Sequence, residues 1–353
     1  MAESDELHRR VQSFIATSDP SAGSFDALAC ALARHQVRHV TPVRRLFASA
    51  GVDPSFITRA EEIPALPTEV FRLRRVAPAT ARDDARVFRT SGTTTGQSGA
   101  HPMRRLDTYR EGALAWGRQM LFPDVANLRK VALLSDEPRA PHSSLTFMVA
   151  RFAEALGGDA SFHWDGTSLD VDGLEHRLAG GPALVAGTSF AFVMLLDALG
   201  GRPLPLAAGS RVMQTGGFKG RTREVAPDAL RTRLAACFSL PVASVVAEYG
   251  MTELSSQLYQ PGVRDGDASY AYLAPPWLRV TAVDPASLAP LPPGAEGLAR
   301  FVDLANVDSA TAIVTMDRIR VDDEGRIHLR GRHPGATPRG CSLAIEPFLE
   351  TDG

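Results

Sequence analysis

Lysine is nearly missing from this chain. Of 38 basic residues only Lys130 and Lys219 are lysines, so chemistry that needs an ammonium group has two candidates. Cysteine is scarce as well. Cys30, Cys237 and Cys341 stand far apart, which suits neither a disulfide framework nor a zinc site and points to a reducing cytoplasm. Long apolar runs are missing: the best, such as 183–196, are broken by glycine and polar residues and too short to span a bilayer. Residues 1–10 are charged and lack the apolar stretch of a secretory leader. Net charge is small, 38 basic against 40 acidic residues, so no strong field draws the chain to nucleic acid or an anionic membrane. What remains is ample core material: 353 residues, 44% of them hydrophobic, enough for one large core or a few subdomains.

Residues 7–18 and 24–40 have helical periodicity, with Ser24 as a cap for the second stretch. Thr41-Pro42 reads as an N-cap and first-turn proline. Residues 63–71, with Pro64 and Pro67, read as a rigid extended connector, and 86–89 as a strand. From Asp107 strands and helices alternate. Strands are expected over 130–134, 183–186, 211–214 and 242–247, and helices over 143–156, 188–199 and 227–237. That rhythm predicts an α/β fold whose sheet carries helices on its faces. After Trp277 short strands at 278–283, 298–303, 312–321 and 326–330 are separated by turns, as in an antiparallel or barrel-like subdomain; 285–297 is a turn-rich connector within it. The expected organisation is a helical segment 1–62, an α/β core 63–276, a β-rich subdomain 277–335 of the same core, and a short tail 336–353.

Four segments carry chemistry. Thr90-Ser91-Gly92-Thr93-Thr94-Thr95-Gly96-Gln97-Ser98-Gly99 interleaves hydroxyls with glycine, which suits a phosphate cradle: glycine lets backbone N–H groups approach an anion, and the hydroxyls add donors. The Gly-Lys-Ser/Thr ending of a Walker loop is missing, and an ordinary polar surface loop has the same composition. Glu248-Tyr249-Gly250-Met251-Thr252-Glu253 follows a strand, where α/β sheets place ligands. Its ring, hydroxyl and carboxylates suit a base, a phosphate and Mg²⁺ held through oxygen; a polar strand-to-helix turn is the plainer reading. Thr215-Gly216-Gly217-Phe218-Lys219-Gly220-Arg221 also lies just past a strand and offers close backbone approach plus basic groups. Thr315-Met316-Asp317, with Arg332 downstream, offers a carboxylate for ribose hydroxyls and a cation for phosphate, or ordinary surface charges.

Together, in this order, these segments resemble the adenylate-forming superfamily of acyl-CoA synthetases, peptide-synthetase adenylation domains and luciferases. A narrower likeness is to the LuxE-type acyl-protein synthetases, related to phenylacetate–CoA ligases. It rests on Ile63-Pro64-Ala65-Leu66-Pro67, the Thr215–Arg221 run, Tyr249-Gly250-Met251-Thr252-Glu253-Leu254-Ser255-Ser256-Gln257, Asp303-Leu304-Ala305-Asn306-Val307-Asp308-Ser309 and Arg339-Gly340-Cys341-Ser342-Leu343.

The resemblance implies an adenylate-forming N-terminal domain with helix-covered sheets and a small distorted β-barrel-like subdomain, its C-terminal lid domain absent or vestigial. ATP and Mg²⁺ are then the cofactors. Thr90, Ser91, Gly92, Thr93, Thr94, Thr95 and Gly96 would hold the β- and γ-phosphates. Gly216 and Gly217 would lie along the adenine, with Glu248, Tyr249, Gly250 and Met251 on the nucleotide. Thr252 would touch the α-phosphate, Glu253 hold Mg²⁺, Asp317 bind the ribose, and Arg332 contact ribose and phosphate.

The departures are an extra threonine in the loop, Gln97-Ser98-Gly99 in place of a Pro-Lys ending, Met316 where glycine or glutamate is common, and an end soon after Arg332, where most members continue into a lid bearing a lysine. Lys219 is the expected replacement cation. In the LuxE-type pattern the acyl group then passes to an enzyme cysteine near the C-terminus, here Cys341, whose thiolate a neighbouring Arg339 would favour, and onward to a protein partner. The alternatives are a coenzyme A or carrier-protein ligase of the same superfamily, and a non-catalytic nucleotide-binding subunit. The acid is not specified.

Overall fold

The computed structural model describes residues 2–17, 22–78, 80–90, 98–216, 226–334, 341, 345 and 348 (for 22, 23 and 227 the backbone alone). The chain forms two compact bodies, one comprising residues 1–112, 251–256 and 273–353, the other 113–250 and 257–272.

In the first body the chain opens with helices α1 (Ala2–Thr17) and α2 (Ala22–His39). Leu7, Val11, Phe14 and Ile15 recur at helical spacing and are buried, as are Phe25, Leu28, Ala29 and Leu32 of α2. Helix α2 begins before Ser24, which is therefore inside it and not its cap. In α3 (Thr41–Ser49) the capping position is Val40, in extended conformation, and Thr41 and Pro42 occupy the first turn. The expected extended connector contains a short strand β1 (Leu66–Pro67) and one turn of helix, α4 (Val70–Leu73). Arg300 binds this connector's approach by donating to the carbonyls of Ala60, Glu61 and Ile63. Strands β2 (Arg86–Arg89) and β3 (Ala100–Met103) then form an antiparallel hairpin, with Arg89 opposite Ala100.

Helix α5 (Asp107–Leu121) leads into the second body. There β4 (Arg129–Leu133), α6 (Ser144–Ala155), β5 (Ala160–Phe162), α7 (Val171–Leu178), β6 (Ala183–Thr188), α8 (Ser189–Leu199), β7 (Arg211–Thr215), α9 (Pro227–Phe238) and β8 (Val245–Tyr249) alternate as the pattern predicts. The sheet order is β5-β4-β6-β7-β8-β9, parallel except for β9 (Leu258–Tyr259), which returns antiparallel to β8 and leads to the short α10 (Gly262–Asp265). The inner strands β6 and β7 are buried along almost their whole length; Val131, Val185, Val212 and Val245 share one core with Phe192, Leu195, Leu230, Leu234 and Phe238. Side-chain caps start three helices: Ser143 accepts from Thr146 N, Asp170 from Gly173 N, and Thr188 from Ala191 N.

One boundary differs in a way that matters for the site. The strand expected at 242–247 begins at Val245; Val242–Ser244 is a turn of 3-10 helix after Pro241. The buried Arg231 guanidinium pins that turn, its Nε donating to the carbonyls of Val242 and Val245. The strand consequently runs on to Tyr249, so Glu248 and Tyr249 are strand residues and not part of the following turn.

The remaining strands belong to the first body: β10 (Leu278–Val283), β11 (Glu296–Asp303), β12 (Ala312–Val321) and β13 (Ile327–Arg332). They join β1 in a five-stranded sheet of order β1-β12-β11-β10, with β13 also on β12. Register shifts at Leu298/Arg300 and Asp317/Ile319 distort it, and no closed barrel is needed to account for the pattern. No helix among the described residues is long and apolar enough to cross a membrane.

Candidate nucleotide site

The β2–β3 hairpin carries the hydroxyl-rich segment as its loop, and the loop's two ends are stitched together. Thr90 N donates to Gly99 O at 2.9 Å, and Gly99 N donates back to the Thr90 hydroxyl oxygen at 2.8 Å. Gly99 faces the carboxylate of Glu253, so closely that a Cβ there would stand 3.2 Å from Glu253 Oε1 and 3.4 Å from Arg72 Cγ. The hydroxyl-rich loop and the acidic end of the Tyr249–Glu253 motif, far apart in sequence, are thereby joined.

The support behind Glu253 is an internal polar frame. His101, on β3, donates from Nδ1 to Thr252 O at 2.7 Å, and burial pushes its pKa down to about 4, so it serves as a neutral donor. Asn306 donates to Glu253 O and to Ala310 O, each at 3.0 Å, and accepts from Ser255 Oγ at 2.5 Å. Asp303, with no solvent exposure, accepts from the backbone N–H groups of Ser255, Ser256 and Ala305 and from Ser256 Oγ. Burial pushes its carboxyl up to about 6 despite these donors. Glu253 itself is 6% exposed. A nearly buried carboxylate beside the end of the hydroxyl-rich loop offers the kind of oxygen donor that suits a hard cation such as Mg²⁺.

Asp317 and Arg332 also come together. They are register partners across β12 and β13, with Arg332 Nε 3.5 Å from Asp317 Oδ1; Asp317 is part-buried and Arg332 exposed. A carboxylate and a guanidinium side by side at a strand end suit a ribose and an adjacent phosphate.

The second body, taken by itself, has a cluster of its own at the ends of β7 and β8. Thr215 and Glu248 are register partners, and the Thr215 hydroxyl donates to Glu248 Oε2. Gly216, exposed and with φ of +71°, turns the chain out of the strand in a conformation that favours glycine, while Ser189 Oγ donates to its carbonyl at 2.7 Å. A side chain at Gly250 would run into the Glu248 carboxylate. Tyr249 is part-buried at the strand's end.

Burial lifts Glu248 from the ordinary 4.5 to about 7, against the pull of the Thr215 hydroxyl. A raised folded pKa means the protonated form is favoured in the fold. Its stabilisation is complete below the unfolded value and is lost as pH rises through about 7. The chain should therefore lose unfolding free energy, on the order of 1–3 kcal/mol, between pH 5 and 8. Glu248→Gln, uncharged throughout, should flatten that loss in denaturation curves taken across the range. A parallel decline in variant and parent would remove Glu248 as the cause.

Several expected site residues fall elsewhere. Ser91, Gly92, Thr93, Thr94, Thr95, Gly96, Gly217 and Lys219 lie outside the described residues. Met251 and Thr252 are part-buried beside Glu253 in sequence. Lys130 is fully buried: its ammonium donates to the carbonyls of Leu156 and Gly157 and sits 5.1 Å from the Phe122 ring centre, and burial lowers its pKa to about 8. Cys341 reverses one expectation. Its thiol is completely buried, and burial, with a contribution from Glu69, pushes it up to about 12, the opposite of an activated thiolate. His101, Asp303 and Asn306 had no assigned role in the sequence reading. The run from Asp303 to Ser309 held a signal, since polar residues continue directly from an apolar strand.

Comparison with known proteins bears on the fold and the family likeness. Residues 181–347 match the family model of the acyl-protein synthetase LuxE. A search of curated protein sequences finds no match. Among solved structures, ATP-bound MatB from Rhodopseudomonas palustris aligns at 18% identity and a TM-score of 0.52, covering 80% of this chain and 51% of MatB. The chain thus spans about half of MatB's length. A 2-hydroxyisobutyryl-CoA ligase in the postadenylation state aligns at 16% identity with a TM-score of 0.69, covering 92% of this chain and 71% of that one. The likeness to LuxE-type acyl-protein synthetases and the adenylate-forming α/β fold expected from the motifs are both borne out.

Proposed function

We propose that the chain uses ATP to activate a carboxylic acid as an acyl-adenylate, releasing pyrophosphate, and then passes the acyl group to a thiol. The observation that carries this reading is the approach of Gly99, at the end of the hydroxyl-rich loop, to the confined carboxylate of Glu253. The match to LuxE over 181–347 and the fold shared with acyl-CoA ligases support it.

In this reading the acid's carboxylate oxygen attacks the α-phosphorus, and the bond from that phosphorus to the β-phosphate's bridging oxygen breaks. Backbone N–H groups and hydroxyls of Thr90, Ser91, Gly92, Thr93, Thr94, Thr95 and Gly96 hold the departing β- and γ-phosphates. The Thr252 hydroxyl donates to the α-phosphate, Asp317 accepts from the ribose hydroxyls, and Arg332 beside it pairs with phosphate. Gly216 and Gly217 give the adenine a flat approach, with Tyr249 near the ring. Glu253 would hold Mg²⁺, which when bound would supply positive charge against the phosphoryl oxygens. Because charge builds on those oxygens, catalysis is mainly positioning plus cations, and Lys219 is assigned as one of those cations.

ATP–pyrophosphate exchange across fatty, aromatic and amino acids tests the first half-reaction. Exchange with one acid class is the expected result. ATP binding with no exchange on any acid would reduce the chain to a nucleotide-binding subunit.

The acceptor has two readings. Self-acylation places the acyl group on Cys341 before its onward transfer to a protein partner. The complete burial of that thiol favours the second reading, an external thiol on coenzyme A or a carrier protein. Mass spectrometry after incubation with ATP and the acid separates them: an acyl mass on the Cys341 peptide supports the first, and thiol-dependent AMP release without it supports the second.

A further inference from the structure

We propose that Glu3, His35 and His39 form a binding site for a divalent transition metal of zinc's class, fastening α1 to α2. His35 and His39 stand one turn apart on α2 and so project from one face. Their rings lie 4.6 Å apart, centre to centre. Glu3, from the first turn of α1, reaches both: its Oε2 is 3.2 Å from His35 Nδ1 and 3.8 Å from His39 Nε2, and the three ligand atoms all lie within 4.8 Å of one another. Tetrahedral ligands held at about 2.0–2.1 Å from zinc are about 3.3 Å apart, so shifts of an ångström or less complete the set. Two imidazoles and a carboxylate select zinc's class over Mg²⁺ or Ca²⁺, which prefer oxygen alone.

The surroundings fit the role as well. The other Glu3 oxygen, Oε1, is held by Arg38, which aims Oε2 at the imidazoles. With Nδ1 of His35 on the metal, its proton resides on Nε2, 3.8 Å from Oδ1 of the buried Asp308. A carboxylate behind a ligating imidazole is the usual outer support of such sites. Asp308 is itself anchored by Ser4 Oγ, His8 Nε2 and Arg104 Nε. His35 is buried, whereas Glu3 and His39 are about half exposed, which leaves a solvent side for a water ligand.

The site also has a mechanical reach. Gln36, next to His35, donates to the carbonyls of Asn306 and Val307 and accepts from Thr311 N. Asn306 is the residue that holds the Glu253 backbone. Gln36 thereby ties α2 to the turn that backs the candidate nucleotide site.

The test uses the full untagged chain, stripped with chelator and titrated with Zn²⁺ by calorimetry at pH 7.5, with thermal unfolding in parallel. One equivalent should bind and raise Tm; Mg²⁺ should do neither. His39→Ala and Glu3→Gln, both at part-exposed positions, should weaken Zn²⁺ binding at least tenfold, while His176→Ala on α7 should leave it unchanged. Absence of saturable one-to-one binding would overturn the proposal, as would equal binding by His39→Ala and the parent. The cluster would then be an ion pair between helices only. Neither outcome bears on ATP–pyrophosphate exchange, so this site and the adenylation reading stand or fall separately.

Discussion

Replacing Glu253 by glutamine is expected to cut ATP–pyrophosphate exchange by about 100- to 1000-fold, the range found when one electrostatic contact to a reacting centre is removed. Glutamine has nearly the same shape and keeps one carbonyl oxygen, so the tight space opposite Gly99 stays filled. The backbone at this position is held independently of the side chain: Asn306 grips Glu253 O, and His101 grips the Thr252 carbonyl before it. The loss should therefore appear in turnover and in the Mg²⁺ concentration needed, with unfolding curves unchanged. A variant that exchanges pyrophosphate at the parental rate in moderate Mg²⁺ would remove Glu253 as the metal-holding residue, and with it the main support for the proposed chemistry.

Asp303→Ala should act on stability instead, lowering it by about 3–5 kcal/mol in urea denaturation at pH 7. One carboxylate with no solvent exposure satisfies three backbone N–H groups and a serine hydroxyl. Its removal leaves all four without a partner where no water replaces it, and each orphaned donor costs about 1–3 kcal/mol. Asn306→Ala should be milder, because its deletion releases carbonyls and one hydroxyl and leaves the N–H groups of Ser255 and Ser256 satisfied. If Asp303→Ala unfolds no earlier than the parent, the frame behind Glu253 is not held as described.

Much of the architecture was legible because its physical causes are local. Strands β2, β10 and β12 fall on the residues read from alternation and turn placement, and the βα rhythm of the second body follows from apolar runs separated by amphipathic stretches. The errors cluster at ends, where few contacts decide. Pro241 and the Arg231 guanidinium shift the start of β8, and Ser24 is a helix interior residue because α2 starts at Ala22. The candidate site was legible in its motifs but not in its frame. Nothing local in Ala-His-Pro marks His101 as the donor to a carbonyl in a segment far along the chain. Nor does any neighbour in sequence reveal that Asp303 closes over Ser255 and Ser256. The state of the Cys341 thiol was hidden for a related reason: an adjacent arginine argued for thiolate, whereas enclosure, which sequence does not display, pushes its pKa up.

The enclosure of Lys130 has a practical consequence. Its amine is committed to two main-chain carbonyls under an aromatic ring, so acylating reagents used on the native protein should pass it by. The only other lysine in the sequence is Lys219, so a mark on a lysine side chain of the native protein would report on Lys219 alone, and its protection by ATP would test the role proposed for the Thr215–Arg221 run.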